Sequence, residues 1–325
     1  MALRVAKFLL IPNRISSRIT LGYSSGLKTD GLGAQLQRIL GINALGEYWN
    51  INVQHPRIDE VAIHPLDGID HDQDYKEFLR NLNSLIKSKE ALEDFEFTKI
   101  LSVDELRLSS ILVSIYSIVV LRKTIYLKVT HPYFFIDAMP RLYDCSLNRS
   151  FKQRLALNAK VHRNSGISLH HRHGVGLMAI QPGQNKPREL DVKVYFLVLD
   201  KIIKSNPELE VRIFTDAPKT SLNFTPKLEQ KKSWLNLPSF DGDVMRISSN
   251  SFNTLLERLP PDTKVIRGGD PLKTIANMAA SSILILSRSS FGYVAALLSE
   301  GAEVWIPDDF WHPALPGWKS YSTGI

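Results

Sequence analysis

The stretch that decides the fold reads Ile283-Leu284-Ile285-Leu286-Ser287-Arg288-Ser289-Ser290-Phe291-Gly292. An apolar run that ends in hydroxyls and small residues, just before an apolar helix over 294–298, is a buried strand handed directly to a helix. That pairing is the unit of a parallel sheet covered by helices. The chain around it repeats the unit: segments at 167–170, 191–204, 211–215, 244–248, 251–259, 264–267, 272–280, 291–299 and 303–306 alternate between strand-like and helix-like patterns. Punctuation agrees, since Asp270 is placed to cap a helix whose first position is Pro271, and Gly301 follows the end of the next. A doubly wound domain is expected over 166–325, with ligands at the carboxyl ends of its strands.

Residues 1–165 form the expected partner domain. A single core stops growing near roughly 250–300 residues, so a chain of 325 residues divides naturally into two. Thr29-Asp30-Gly31-Leu32-Gly33-Ala34-Gln35-Leu36 is a glycine turn opening an amphipathic helix with Leu36, Ile39, Leu40 and Asn43 at helical spacing. A loop rich in Asp, Gly, His and Pro follows over 64–74, then a charged helical segment over 75–94.

Composition narrows the classes. Hydrophobic residues make up 44% and charged residues 22%, the balance of an ordinary globular chain. A formal charge of +7 favours an anionic partner: a phosphate, a nucleic acid or a lipid headgroup. Aromatic residues are not interleaved with Lys/Arg runs, which argues against nucleic acid. One cysteine, Cys145, allows no internal disulfide and fits a reducing, cytoplasmic setting, with peripheral membrane contact through the basic surface left open. No stretch reaches the roughly 18 apolar residues of a spanning helix. Residues 1–29 contain basic residues and serines but no acid; this composition suits a targeting segment or a basic first strand.

Three motifs carry chemistry. In Ile167-Ser168-Leu169-His170-His171-Arg172-His173-Gly174 a short apolar strand runs into cationic donors. A guanidinium at a strand end can grip diphosphate oxygens in two-pronged fashion, and His170 can hold a phosphate oxygen or orient Arg172. The same residues would also make a solvated basic turn. At Ser287, Ser289, Ser290 and Phe291 the free amides and hydroxyls of a helix start make an anion site, or an ordinary serine cap. Gly31 and Gly33 let the backbone approach a ligand, and Gln35 can hydrogen-bond a sugar hydroxyl or phosphate, although a plain turn explains them too. The third glycine of a dinucleotide fingerprint is missing, which disfavours a nicotinamide or flavin enzyme.

Taken together, Gly31-Leu32-Gly33-Ala34-Gln35, His170-His171-Arg172-His173-Gly174 and Ser289-Ser290-Phe291-Gly292 resemble the motifs of the bacterial and plant-type fucosyltransferases, the α-1,2- and α-1,6-transferring branches. There they read Gly-Leu-Gly-Asn-Gln, His-x-Arg-Arg-Gly-Asp and Ser-x-Ser-Ser/Thr-Phe-Ser. Ile213-Phe214-Thr215-Asp216 resembles the family's strand ending in Ser/Thr-Asp. The resemblance implies an α/β fold of GT-B type, two Rossmann-like domains facing a central cleft. It also implies inverting transfer of L-fucose from GDP-fucose to a glycan acceptor, with neither metal nor cofactor. Arg172 would bind the diphosphate, with His170, Asp216, Ser287, Ser289, Ser290 and Phe291 beside the nucleotide. Ala34, His173 and Val175 depart from the family pattern at the usual asparagine, second arginine and aspartate. His171 or His173 is left as the base that takes the acceptor proton. Pyruvyl or Kdo transfer, or non-enzymatic binding of phosphate or nucleic acid, are the competing classes.

Overall fold

A computed structural model describes residues 18–23, 31–61, 73–88, 99–103, 124–129, 132–137, 139–172, 190–216, 222–224, 245–247 and 250–323. The described residues divide into two compact units, one up to Lys160 and one from Val161 onward. His173 and residues 24–30 lie outside the described residues.

The first unit contains strands β1 (Ile19–Tyr23), β2 (Asn52–Val53), β3 (Lys99–Val103) and β4 (Ile125–Val129), all parallel in the order β2-β1-β4-β3. Its helices are α1 (Leu32–Trp49), α2 (Gln73–Ile86), the short α3 (Tyr133–Ile136) and α4 (Ser146–Ala159). Helix α1 differs from the amphipathic helix expected there. Fifteen of its 18 residues are buried, including Gln35, Gln37, Arg38 and Asn43. Strands β1 and β2, α3, the turn at Pro140–Tyr143 and α4 surround it, so no wide polar face is left. Helix α2 ends at Ile86, well short of residue 94. On β1, a Cβ at Gly22 would fall 1.7 Å from the Tyr126 hydroxyl. Glycine there leaves room for that phenol to donate to the Gln54 carbonyl at 2.8 Å.

The second unit holds a six-stranded parallel sheet of β5 (Ile167–His171), β6 (Val211–Thr215), β9 (Lys264–Arg267), β10 (Ile283–Ile285), β11 (Glu303–Pro307) and β12 (Lys319–Tyr321). Their order is β9-β6-β5-β10-β11-β12. Counted within this unit it reads 3-2-1-4-5-6, the doubly wound Rossmann order, in which the topology reverses between β5 and β10. The helices are α5 (Val192–Ser205), α6 (Asn250–Leu256), α7 (Pro271–Ala279) and α8 (Ser290–Leu298). Asp191 caps α5 by accepting from Lys193 N at 2.9 Å, and Asp270 caps α7 by accepting from Leu272 N at 2.8 Å.

One face of this sheet, carrying Ile167, Leu169, Ile213, Ile283 and Ile285, packs on Tyr195, Val198 and Leu199 of α5 and on Phe252 and Leu255 of α6. Each such buried aliphatic side chain contributes about 1.5–3 kcal/mol. On the other face α8 comes close enough that a Cβ on Gly292 would meet His170 Nδ1 at 3.0 Å. The strand-like pattern at 244–248 was expected to join the parallel sheet. Instead β8 (Met245–Ile247) pairs antiparallel with β7 (Leu222–Phe224) in a separate two-stranded ribbon.

Candidate functional site

The polar groups of the second unit gather at the carboxyl ends of its central strands. A period of two along β5 sends Ser168 and His170 to one face of the sheet and Leu169 and His171 to the other. His170 Nδ1 lies 2.7 Å from Ser287 Oγ, a hydrogen bond that crosses from β5 to the segment after β10. The Phe291 ring is tilted over His170 with centroids 5.6 Å apart. Burial holds the pKa of His170 far below its ordinary value, at about 3, and the nearby Arg172 charge adds to the effect. At neutral pH His170 is therefore an uncharged hydrogen-bonding group, and the positive charge of the site belongs to Arg172.

Arg172 follows β5 directly, and its Nη1 lies 2.9 Å from Asp216 Oδ2, at the end of the neighbouring β6. Only 16% of the arginine side chain and 6% of the aspartate side chain are exposed. Such a pair fixes the guanidinium in one orientation, as a preorganised anion contact requires. Ser289 caps α8, accepting from Phe291 N at 3.3 Å, so the serine-cap alternative is realised at this residue. The amide-lined start of a nine-residue helix also favours negative charge.

A second arginine belongs to this end of the sheet. Arg288 donates through Nε to Asp309 Oδ1 at 2.9 Å and through Nη2 to Asp309 Oδ2 at 2.5 Å, a two-pronged pair beyond β11. Arg288 lies within the strand-to-helix motif of the sequence, and Asp309 lies in none of the three motifs. The available signal was the acidic pair Asp308-Asp309 just after a parallel strand, a position like that of Asp216 after β6. Gly292 lies within the strand-to-helix motif as well.

One expectation needs correction. His171 is fully buried; its Nδ1 is 2.8 Å from Thr215 Oγ1 and its ring stacks on Phe252 at 4.7 Å, with Tyr195 edge-on. A base must reach the acceptor hydroxyl, and a core residue facing α5 and α6 does not. Gln35 is also fully buried, within α1 of the first unit. Gly31 and Gly33 stand at the start of that helix. Cys145 is buried too, and burial pushes its thiol up to about 11, which leaves no thiolate nucleophile at neutral pH.

Among the described residues no cluster of three or more His, Cys, Asp or Glu side chains is placed to hold a metal ion. No helix among them is long and apolar enough to cross a membrane.

No protein-family model matches the chain, and no curated protein matches it. Solved structures similar to it include POFUT1 in complex with GDP-fucose, with 9% identity, a TM-score of 0.43, and coverage of 96% of this chain and 99% of that one. The glycosyl transferase family 9 protein from Veillonella parvula has 12% identity and a TM-score of 0.39, covering 95% and 87%. The E. coli ADP-heptose LPS heptosyltransferase II has 11% identity and a TM-score of 0.36, covering 93% and 89%. At these values likeness settles no activity.

Proposed function

We propose that the chain is an inverting glycosyltransferase that moves a sugar, L-fucose from GDP-fucose, to a hydroxyl of a glycan acceptor. One observation carries the reading: at the topological switch point of a Rossmann sheet, Arg172 braced by Asp216 stands beside neutral His170, Ser287 and the start of α8. In such sheets this crevice takes the ligand. Fixed positive charge and amides suit a diphosphate better than a neutral metabolite.

The chemistry follows from charge. As the bond between the sugar carbon and the diphosphate oxygen breaks, negative charge grows on the leaving nucleotide, and Arg172 with the α8 amides stabilises it without reorganising. The acceptor oxygen forms the new glycosidic bond and loses its proton to a base. Arg172 and the helix amides do the work that a divalent ion on the diphosphate would otherwise do.

A donor screen scored by nucleotide release, with the acceptor omitted and EDTA present, tests this. GDP release from GDP-fucose should exceed release from UDP-glucose, CMP-Kdo and ADP-heptose, and should persist in EDTA. Turnover abolished by EDTA and restored by Mn²⁺ would refute the metal-free mechanism. Release from none of the donors would refute the glycosyltransferase reading.

A further inference from the structure

The sheet order places β10 between β5 and β11, so the residues just beyond β10 can reach either neighbour. Three consecutive side chains there go three ways. Ser287 turns to β5, where its hydroxyl meets His170 Nδ1 at 2.7 Å. Arg288 turns the opposite way, past β11, to its two-pronged contact with Asp309. Ser289 turns to the helix, accepting from Phe291 N at 3.3 Å as the cap of α8. Successive side chains of an extended backbone point to opposite sides, and Ser289 is extended at φ −143° and ψ 129°.

Both ends of the Arg288 contact are anchored. Leu286, before the turn, is tied through both backbone groups: its N–H donates to the Trp305 carbonyl at 2.9 Å, and its carbonyl accepts from the Tyr321 hydroxyl. Ser289 N donates to the Ser287 carbonyl at 2.8 Å, which folds the turn tightly around Arg288. On the far side, the segment after β11 that carries Asp309 is fixed to α8 itself. The Tyr293 hydroxyl donates to the Pro313 carbonyl at 2.9 Å. The Tyr293 ring packs on Phe310, His312 and Trp318, with centroids 5.5, 5.0 and 5.6 Å away.

Burial stiffens the contact. Only 7% of the Arg288 side chain and 21% of the Asp309 side chain are exposed, so water competes little for the two hydrogen bonds. The fork also fixes the guanidinium plane, and its Nε and Nη2 donors are turned to a carboxylate on the other side of β10 from His170.

We propose that Arg288 is a positioning residue for the anion site: paired with Asp309, it braces the turn 287–289 so that the Ser287 hydroxyl and the first amides of α8 face the crevice. The proposal rests on the reading of that crevice as a diphosphate site, and it gives Arg288 no contact with the donor.

The test takes two measurements at a temperature where every variant is folded. Calorimetric titration with GDP reads the anion site, and nitrogen NMR of histidine-labelled protein without ligand reads the contact of His170 with Ser287. Asp309→Asn should bind GDP about ten- to a hundredfold more weakly than the wild type, up to the cost of a misplacement of roughly 1 Å. Its His170 resonances should move toward those of Ser287→Ala, in which that contact is gone. Both changes are required: GDP affinity like that of the wild type, or His170 resonances that stay in place, overturns the proposal. A rise in GDP affinity overturns it too, since Arg288 released from Asp309 would then be a direct phosphate ligand. If Asp309→Asn does not fold, the double variant Arg288→Met/Asp309→Leu decides by the same two criteria, because replacing both partners leaves no charge buried alone. Wild-type protein that binds no GDP refutes the diphosphate reading and the proposal with it, whereas the other adverse outcomes refute the proposal alone.

Discussion

The strand ends of the second unit and the interior of the first solve the same problem, a histidine kept neutral by burial, with opposite geometry. His170 and its partners belong to two short sequence motifs that the parallel sheet brings side by side, at the ends of β5 and β10. His55 belongs to a chain of hydrogen bonds whose asparagines, 43 and 148, stand 105 residues apart. One network is assembled by topology and lies beside a fixed positive charge. The other is assembled by the packing of α1 against α4 and is closed in the interior. The difference teaches that equal burial of a histidine does not imply equal duty: the charge beside His170 marks a site for an anion, whereas His55 ties a strand end to α1 and α4 through a closed hydrogen-bond network.

The largest expected effect falls on the charge. Arg172→Ala should lower kcat/KM for the donor by about 10²–10³, as for other preorganised charge-stabilising groups, and should also lower the melting temperature, because Asp216 is left buried without its partner. Arg172→Lys should recover little of it, since an ammonium cannot reproduce the two-pronged contact. An alanine variant that melts like the wild type and transfers sugar as fast would erase the distinction between the two regions.

Next comes pH, where the two histidines should act alike. Their folded pKa values, about 3 for His170 and about 4 for His55, lie below the ordinary histidine value. As pH falls through about 6.5 the unfolded chain takes up protons that the folded chain refuses. Stability from each histidine is therefore complete above that pH and declines below it, toward pH 4 for His55 and pH 3 for His170. Between pH 7 and pH 5 each should cost about 2 kcal/mol. Urea unfolding of wild type, His170→Asn and His55→Asn at both pH values checks this, because each variant should lose its own share of the slope. An unchanged slope in either variant would show that histidine to be solvated.

A smaller effect is expected from Gly292→Ala. The added Cβ would lie 3.0 Å from His170 Nδ1 and 3.2 Å from its Cγ, so the ring must shift by a few tenths of an ångström. A roughly tenfold loss in kcat/KM is the expected outcome. Normal kinetics would mean that the position of His170 is not critical.

Most of the second unit was legible in the sequence because its signals are local. Strands β6 and β9 occupy 211–215 and 264–267 as read, and Asp270 with Pro271 opens α7. Apolar runs of strand length and capping residues act over a few positions, so they survive in the sequence. Strand β12, Lys319–Tyr321, was missed: it is a three-residue edge strand with two exposed side chains. Strand β8 was seen but assigned to the wrong sheet, because a pattern of alternating residues does not name a partner. The candidate site divides the same way. Arg172, His170 and Ser287 were visible as strand-end polar residues, and so was Asp216. The opposite fates of adjacent His170 and His171 depend on which face of β5 each occupies, and both faces are buried. The Asn43, His55 and Asn148 network left no trace, since its members come together only through tertiary packing.

The central claim is that the switch point between β5 and β10 holds a nucleoside diphosphate through Arg172. It is tested most directly by calorimetric titration of wild type and Arg172→Ala with GDP and with GMP. GDP should bind the wild type more tightly than GMP, and the variant should lose roughly ten- to a hundredfold in GDP affinity, the range for a hydrogen bond to a charged group. GMP affinity should change far less. Equal GDP affinity in wild type and variant would contradict the account.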